Sequence, residues 1–137
     1  MIKKKIAAIA AAALAACSIG ATAFATTYVV PKYSFGPKTL TPNAVPRYTS
    51  TYEKEDSKEA WVLVDQGLST GDTFATFQVR NSDYTAATDE TDLWINGEHY
   101  IDYLPGQGID GNFYYLKYFM KSQAHADSLY VGGIWAP

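Results

Sequence analysis

The segment NFYYLKYFM, residues 112–120, decides the fold class of this chain. It is rich in aromatic residues, which favour the half-buried, pleated surface of a β-sheet. Alternate positions along a strand point to opposite faces, and one face must be the core. The second face either packs under a loop or lies open as an aromatic platform. One set is Phe113, Tyr115, Lys117 and Phe119, and the other is Tyr114, Leu116, Tyr118 and Met120.

Short segments of the same character recur on both sides of this strand, separated by turns rich in glycine, proline and acidic residues. Asn96-Gly97, between two of them, is typical of a type I′ hairpin turn. We count seven or eight short strands and no convincing helix, which predicts an all-β fold, an antiparallel β-sandwich. The strands with the clearest signals are residues 47–53, 61–64, 73–80, 93–95, 99–103, 113–119 and 128–135.

The apolar positions of these strands predict the core. Phe77 and Val79 share one strand face, and Trp61 and Leu63 share another. Trp135 lies just before the end of the last strand, where an aromatic ring can close the core. We expect these five side chains to pack between the two sheets. Cleavage after Ala25 would leave no cysteine to form a disulfide, so stability then depends on packing.

The beginning of the chain is typical of a signal peptide. Three lysines at residues 3–5 precede an apolar run, and the small-x-small triplet from Ala23 to Ala25 offers a cleavage site before Thr26. The run is shorter than the roughly 20 apolar residues that a permanent span needs. The sequence therefore predicts a cleavable signal helix over residues 1–25, an extended proline-rich segment over 26–46, and the sandwich over 47–137.

Cys17 leaves an alternative open. Leu14 to Cys17 matches the lipobox of bacterial lipoproteins, and a lipid on this cysteine would anchor the protein at the cell surface. The residues after Cys17 stay small and apolar up to the Ala-x-Ala site, whereas a lipoprotein more often continues into a polar tether. We therefore expect a secreted, extracellular protein that contacts the membrane through its signal peptide, or through a lipid on Cys17.

Charge and residue types narrow the classes of function. Loss of the three leading lysines takes the formal net charge from −3 to −6, which disfavours nucleic acids as partners. The only histidines are His99 and His125, and neither lies in a pattern that activates a nucleophile. We therefore predict no catalytic, cofactor-binding or metal-binding residues. The acids and threonines of residues 83–92 leave bound calcium as an open alternative.

The order of features from Arg47 onward resembles the lactococcin 972 type of bacteriocin and related small secreted β-sandwich proteins of Gram-positive bacteria. The motifs are Thr76-Phe77, a glycine followed by aromatic residues from Gly111 to Tyr115, and Tyr-Val-Gly-x-x-Trp from Tyr130 to Trp135. The resemblance implies a β-sandwich and secretion. For the bacteriocin itself it also implies interference with cell-wall synthesis in neighbouring cells.

Three functions remain on this basis. The first is a secreted, non-enzymatic protein, bacteriocin-like, that acts at the cell envelope or between cells, and buried aromatic residues would favour it. The second is a carbohydrate- or glycan-binding module, which an exposed aromatic row beside polar groups would favour. The third is a small hydrolase, which needs two facing carboxylates. For a binding module the candidate surface is Tyr114, Tyr115, Tyr118 and Trp135.

We expect export to remove residues 1–25 and leave Thr26 as the first residue, because the Ala-x-Ala triplet is what the processing peptidase recognises. Mass spectrometry of the extracellular protein measures this directly. A lipid-modified N-terminus at Cys17 would show that the lipobox is used instead.

Overall fold

The computed structural model describes residues 30–68, 71–124 and 126–137. The predicted signal peptide, with Cys17, Ala23, Ala25 and Thr26, lies outside the described residues, as does His125. The described residues form nine strands and no helix. The strands are β1 Tyr33–Leu40, β2 Arg47–Tyr48, β3 Tyr52–Glu53, β4 Ala60–Gln66, β5 Ala75–Asn81, β6 Thr91–Leu93, β7 Gly97–Ile101, β8 Phe113–Phe119 and β9 Leu129–Ala136.

The strands form two antiparallel sheets. The four-stranded sheet has the order β1-β9-β4-β7, and the five-stranded sheet has the order β2-β8-β5-β6, with β3 also paired to β8. Aromatic rings connect the sheets, since Phe35 of β1 contacts Phe77 of β5 and Tyr118 of β8, with ring centroids 5.7 and 5.3 Å apart. The prediction of an all-β, antiparallel fold is confirmed, and the two packed sheets have the layers of a β-sandwich.

Part of the proline-rich segment, Tyr33–Leu40, belongs to a sheet, whereas we expected the sandwich to begin at Arg47. β1 forms an edge of the four-stranded sheet, and its pairing with β9 shifts register between Phe35 and Lys38. Pro37 is accommodated because edge strands and bulges are the places where a missing N–H can be tolerated. Gly36 precedes it with φ +64°, and a Cβ there would lie 2.4 Å from the Val131 carbonyl oxygen.

The predicted hairpin at Asn96-Gly97 is wrong. β6 pairs with β5 in one sheet, whereas β7 pairs with β4 in the other, so the turn crosses between sheets. Asn96 fixes the crossing through two hydrogen bonds: its side-chain oxygen accepts from the Leu68 N–H at 2.9 Å, and its own N–H donates to the Leu68 carbonyl at 3.3 Å. Gly97, at φ +126°, still supplies the backbone freedom of the turn.

The core contains three of the five predicted residues. Phe77, Val79 and Trp135 are fully buried, as expected, whereas Trp61 and Leu63 are partly exposed. The buried side chains of β4 are instead Ala60, Val62 and Val64. An uninterrupted apolar run has no alternation that assigns its faces, and here the pairing of Val62 with Trp135 decides them.

Replacing Trp135 with Ala is expected to lower the free energy of unfolding by about 3–5 kcal/mol, because the ring is fully buried and its loss leaves a cavity. Trp61→Ala is the matched control on the outer face of the neighbouring strand, with an expected cost of no more than about 1 kcal/mol. Urea denaturation of both variants measures the difference. Equal losses of stability would contradict the assigned faces of β4 and β9.

Candidate functional site

The four candidate binding residues do not form an exposed surface. Tyr114, Tyr118 and Trp135 belong to the buried core, because the alternation of β8 and β9 turns them inward. Tyr115 lies on the outer face of the five-stranded sheet, yet its exposed fraction is only 4%. The alternate set of β8 that contains Tyr115 is therefore the outer one. Tyr115 itself is covered by other side chains.

Two tyrosines outside the predicted binding surface, Tyr48 and Tyr84, cover Tyr115. The Tyr48 ring lies 5.5 Å from the Tyr115 ring at an interplanar angle of 72°, and the Tyr84 ring lies 5.7 Å away at 60°. Tyr48 is 51% exposed and Tyr84 is 72% exposed. We call Tyr48, Tyr84 and Tyr115 the tyrosine cluster. It presents two accessible rings on either side of a buried third.

The strands position Tyr48 and Tyr115. Tyr48 of β2 pairs with Lys117 of β8, and Tyr115 lies two residues earlier on the same face of β8. Such diagonal neighbours are within reach of each other's aromatic side chains. The third ring comes from the turn that follows β5.

A strained turn positions Tyr84. Its φ is +71°, a left-handed conformation that is uncommon for a bulky residue and that costs about 1–3 kcal/mol. The Tyr84 N–H donates to the Asn81 carbonyl at 2.9 Å, and the Arg80 guanidinium donates to the Tyr84 carbonyl. The Thr85 hydroxyl and backbone N–H donate to the Asp83 carboxylate and lower the pKa of Asp83. These contacts fix the backbone of the turn from which the Tyr84 ring reaches Tyr115.

Arg80 and Tyr115 each carry an unused hydrogen-bonding atom. They are direct cross-strand partners in β5 and β8. Within the described part of the chain, Arg80 Nε and the Tyr115 hydroxyl are both buried without a hydrogen-bond partner. The other guanidinium nitrogens donate to the Gln78 side chain at 3.3 Å and to the Tyr84 carbonyl. Burial raises the pKa of Tyr115, so the phenol stays protonated and able to donate.

The remaining charges of this face neutralise one another. The ammonium of Lys117 lies 3.7 Å from the Glu90 carboxylate. The ammonium of Lys121 lies 3.4 Å from the Glu90 carboxylate and 3.2 Å from the Asp92 carboxylate. Hydrogen bonds and charge attraction from Asp92 and Glu90 outweigh burial and raise the pKa of Lys121. Arg80 differs from these lysines because no carboxylate oxygen accepts a hydrogen bond from its Nε.

A second aromatic surface lies on the outer face of the four-stranded sheet. Trp61 and Tyr100 are cross-strand partners beside a groove of about 370 Å³, and Tyr100 is exposed. The ammonium of Lys32 lies 4.1 Å from the centroid of the Trp61 ring and covers it. His99, on the same strand as Tyr100, donates to the Ile95 carbonyl at 2.8 Å. The tyrosine cluster thus has the more open pair of rings.

The described residues hold no group of three or more His, Cys, Asp or Glu side chains placed to bind a metal ion. Among the acids of residues 83–92, Asp83 accepts from Thr85, Glu90 pairs with Lys117 and Lys121, and Asp92 contacts Thr76 and Lys121. Among the same residues there is no helix long and apolar enough to cross a membrane.

Comparison with known proteins returned no match to a protein-family model, a curated protein or a solved structure. The lactococcin 972 resemblance therefore stays a prediction. The geometry of the tyrosine cluster is what supports a function for this chain.

Tyr84→Gly is expected to be more stable than Tyr84→Ala by about 1 kcal/mol, since both lose the ring and only glycine adopts φ +71° without strain. Thermal unfolding of the two variants measures this difference. The same pair of substitutions at Tyr48, in a strand, should give the opposite order because glycine weakens strands. The same order at both positions would contradict the strain assigned to Tyr84.

Proposed function

We propose that this chain is an exported, non-enzymatic glycan-binding protein that acts at the cell envelope through the tyrosine cluster. The single observation that carries the proposal is the pair of exposed rings, Tyr48 and Tyr84, held on either side of buried Tyr115. Aromatic rings offer apolar faces on which the C–H groups of a sugar can stack, and tyrosine adds a polar tip for hydrogen bonds to hydroxyl groups.

The rigidity of the cluster supports this function. Tyrosine has two rotatable side-chain bonds, so little conformational entropy is lost when its ring is fixed by a ligand. Tyr48 is anchored by β-pairing, and Tyr84 by the turn contacts with Arg80 and Asn81. The backbone positions of both tyrosines are therefore fixed before a ligand binds, which reduces the cost of binding, while the exposed Tyr84 side chain can still rotate.

The burial of Tyr114, Tyr118 and Trp135 agrees with the bacteriocin-like alternative. The exposure of Tyr48 and Tyr84 favours glycan binding instead, because a binding module needs accessible aromatic rings. The hydrolase alternative needs a pair of free carboxylates. Glu90 and Asp92, two neighbouring acids of residues 83–92, are instead paired with lysines.

The test is the affinity of the exported protein for a panel of cell-wall polysaccharides, measured by affinity electrophoresis and then by calorimetry. Tyr48→Ala and Tyr84→Ala should each weaken binding about fivefold to tenfold, because each removes one stacking ring. Tyr130→Ala is the matched control, since Tyr130 is a comparably exposed tyrosine on the other sheet. Unchanged binding in both cluster variants, or an equal loss in the control, would contradict the proposal.

A further inference from the structure

We infer that the tyrosine cluster recognises a carboxylate carried by the glycan, with the carboxylate oxygens accepting hydrogen bonds from Arg80 Nε and the Tyr115 hydroxyl. The inference rests on the proposed function and names its ligand more narrowly. The ligand class is an acidic saccharide, in which a sugar ring that stacks on tyrosine bears a carboxylate.

The two unpaired donors carry the inference. Buried polar groups in folded proteins almost always have a hydrogen-bond partner, so each exception needs a reason. Arg80 Nε and the Tyr115 hydroxyl are two such exceptions, on side chains that face each other across β5 and β8. Both unpaired donors lie beside the two exposed rings of the tyrosine cluster. A ligand that stacks on these rings and supplies an acceptor would explain why the donors are unpaired.

The chemistry of the donors selects a carboxylate. The guanidinium is permanently charged and only donates, so its free Nε–H favours an anionic oxygen, and the Tyr115 hydroxyl can donate to the second oxygen of a carboxylate. Hydrogen bonds between charged partners are roughly twice as strong as neutral ones. The Gln78 side chain and the Tyr84 carbonyl hold the other guanidinium nitrogens, so Nε is presented in a fixed orientation.

General electrostatics would not produce this preference. The chain carries a formal net charge of −3, and its acids outnumber its lysines and arginines, so acidic polymers are repelled at long range. Lys117 and Lys121, the other cations of the face, are paired with Glu90 and Asp92. Selectivity for an acidic sugar would therefore have to come from Arg80.

Access to the donors requires the exposed Tyr84 ring to turn aside. Both unpaired atoms are buried, and the Tyr84 ring contacts the Tyr115 ring. Because Tyr84 is largely exposed, rotation of its side chain meets little resistance. The ring can then stack on the sugar while the carboxylate reaches the two donors.

Tyr115→Phe tests the inference with little risk to the fold, because the hydroxyl it removes has no partner in the described structure. Binding is measured with galacturonate oligomers and with their methyl esters, which keep the shape and lack the charge. The parent should bind the acid at least tenfold more tightly than the ester. In Tyr115→Phe this preference for the acid should disappear, whereas binding of the ester should stay the same. The melting temperature should be unchanged or slightly raised, because the hydroxyl that is removed has no partner in the described structure.

Tyr103→Phe is the matched control, since Tyr103 is another tyrosine whose buried hydroxyl lacks a partner among the described residues, and it lies away from the cluster. It should retain the full preference. Arg80→Lys keeps the charge and loses Nε, and it should also abolish the preference.

Equal binding of acid and ester by the parent overturns the inference and leaves the proposed function standing. So does a preference that survives Tyr115→Phe, or one that is lost equally in Tyr103→Phe. Absence of binding to every glycan tested overturns both the inference and the proposed function.

Discussion

The fold depends on one buried charge, the ammonium of Lys54. The residue is 0% exposed, and its ammonium donates to the Asp56 carboxylate at 3.1 Å and to the Pro137 carbonyl at 3.0 Å, with the Tyr103 ring 4.8 Å away. An ammonium taken out of water is costly unless all its partners are in place. The segment after β3, the residue after β9 and the Tyr103 loop must therefore assemble together. The described residues contain no cysteine, so this polar contact provides the kind of long-range closure that a disulfide provides elsewhere.

The same residue sets the start of β8. The Lys54 N–H donates to the Asn112 carbonyl at 2.9 Å, and the Gly111 N–H donates to the Lys54 carbonyl at 2.8 Å. These bonds come directly before β8, whose register then decides which side chains oppose one another. A shift of one residue would send Tyr115 into the core and Tyr114 outward. The pairing of Tyr115 with Arg80, on which the candidate site depends, is therefore a consequence of how the strand begins.

The sequence predicts the position of β8 well, but the alternation of residues 113–119 leaves open which face is the core, and Tyr114 and Tyr118 were wrongly expected at the surface. The faces of β4 are predicted poorly because the apolar run beginning at Trp61 has no polar residue to mark either face. Asn96-Gly97 has the residue types of a tight hairpin turn. Which strands pair depends on contacts far apart in the sequence, however, and a dipeptide does not determine them. Nothing in the sequence marks Lys54 as buried, because lysine is rarely buried. Tyr84 lies in a polar loop without periodicity, so half of the exposed surface of the site left no sequence signal.

Two kinds of departure from ordinary structural rules, a strained backbone and unpaired buried donors, occur together at the tyrosine cluster. Tyr84 has a strained backbone, and Arg80 and Tyr115 each bury a polar atom without a described partner. The other departures among the described residues are single ones: Asn43 also has a positive φ, and the Tyr103 hydroxyl and Trp135 Nε1 are also buried without a described partner. Strain and unpaired polar groups each cost on the order of 1–3 kcal/mol, and they persist where the surrounding fold is stable enough to hold them. Because the paired strands of the five-stranded sheet hold both Arg80 and Tyr115, the fold can maintain there an arrangement that lowers its own stability, as the proposed binding site requires.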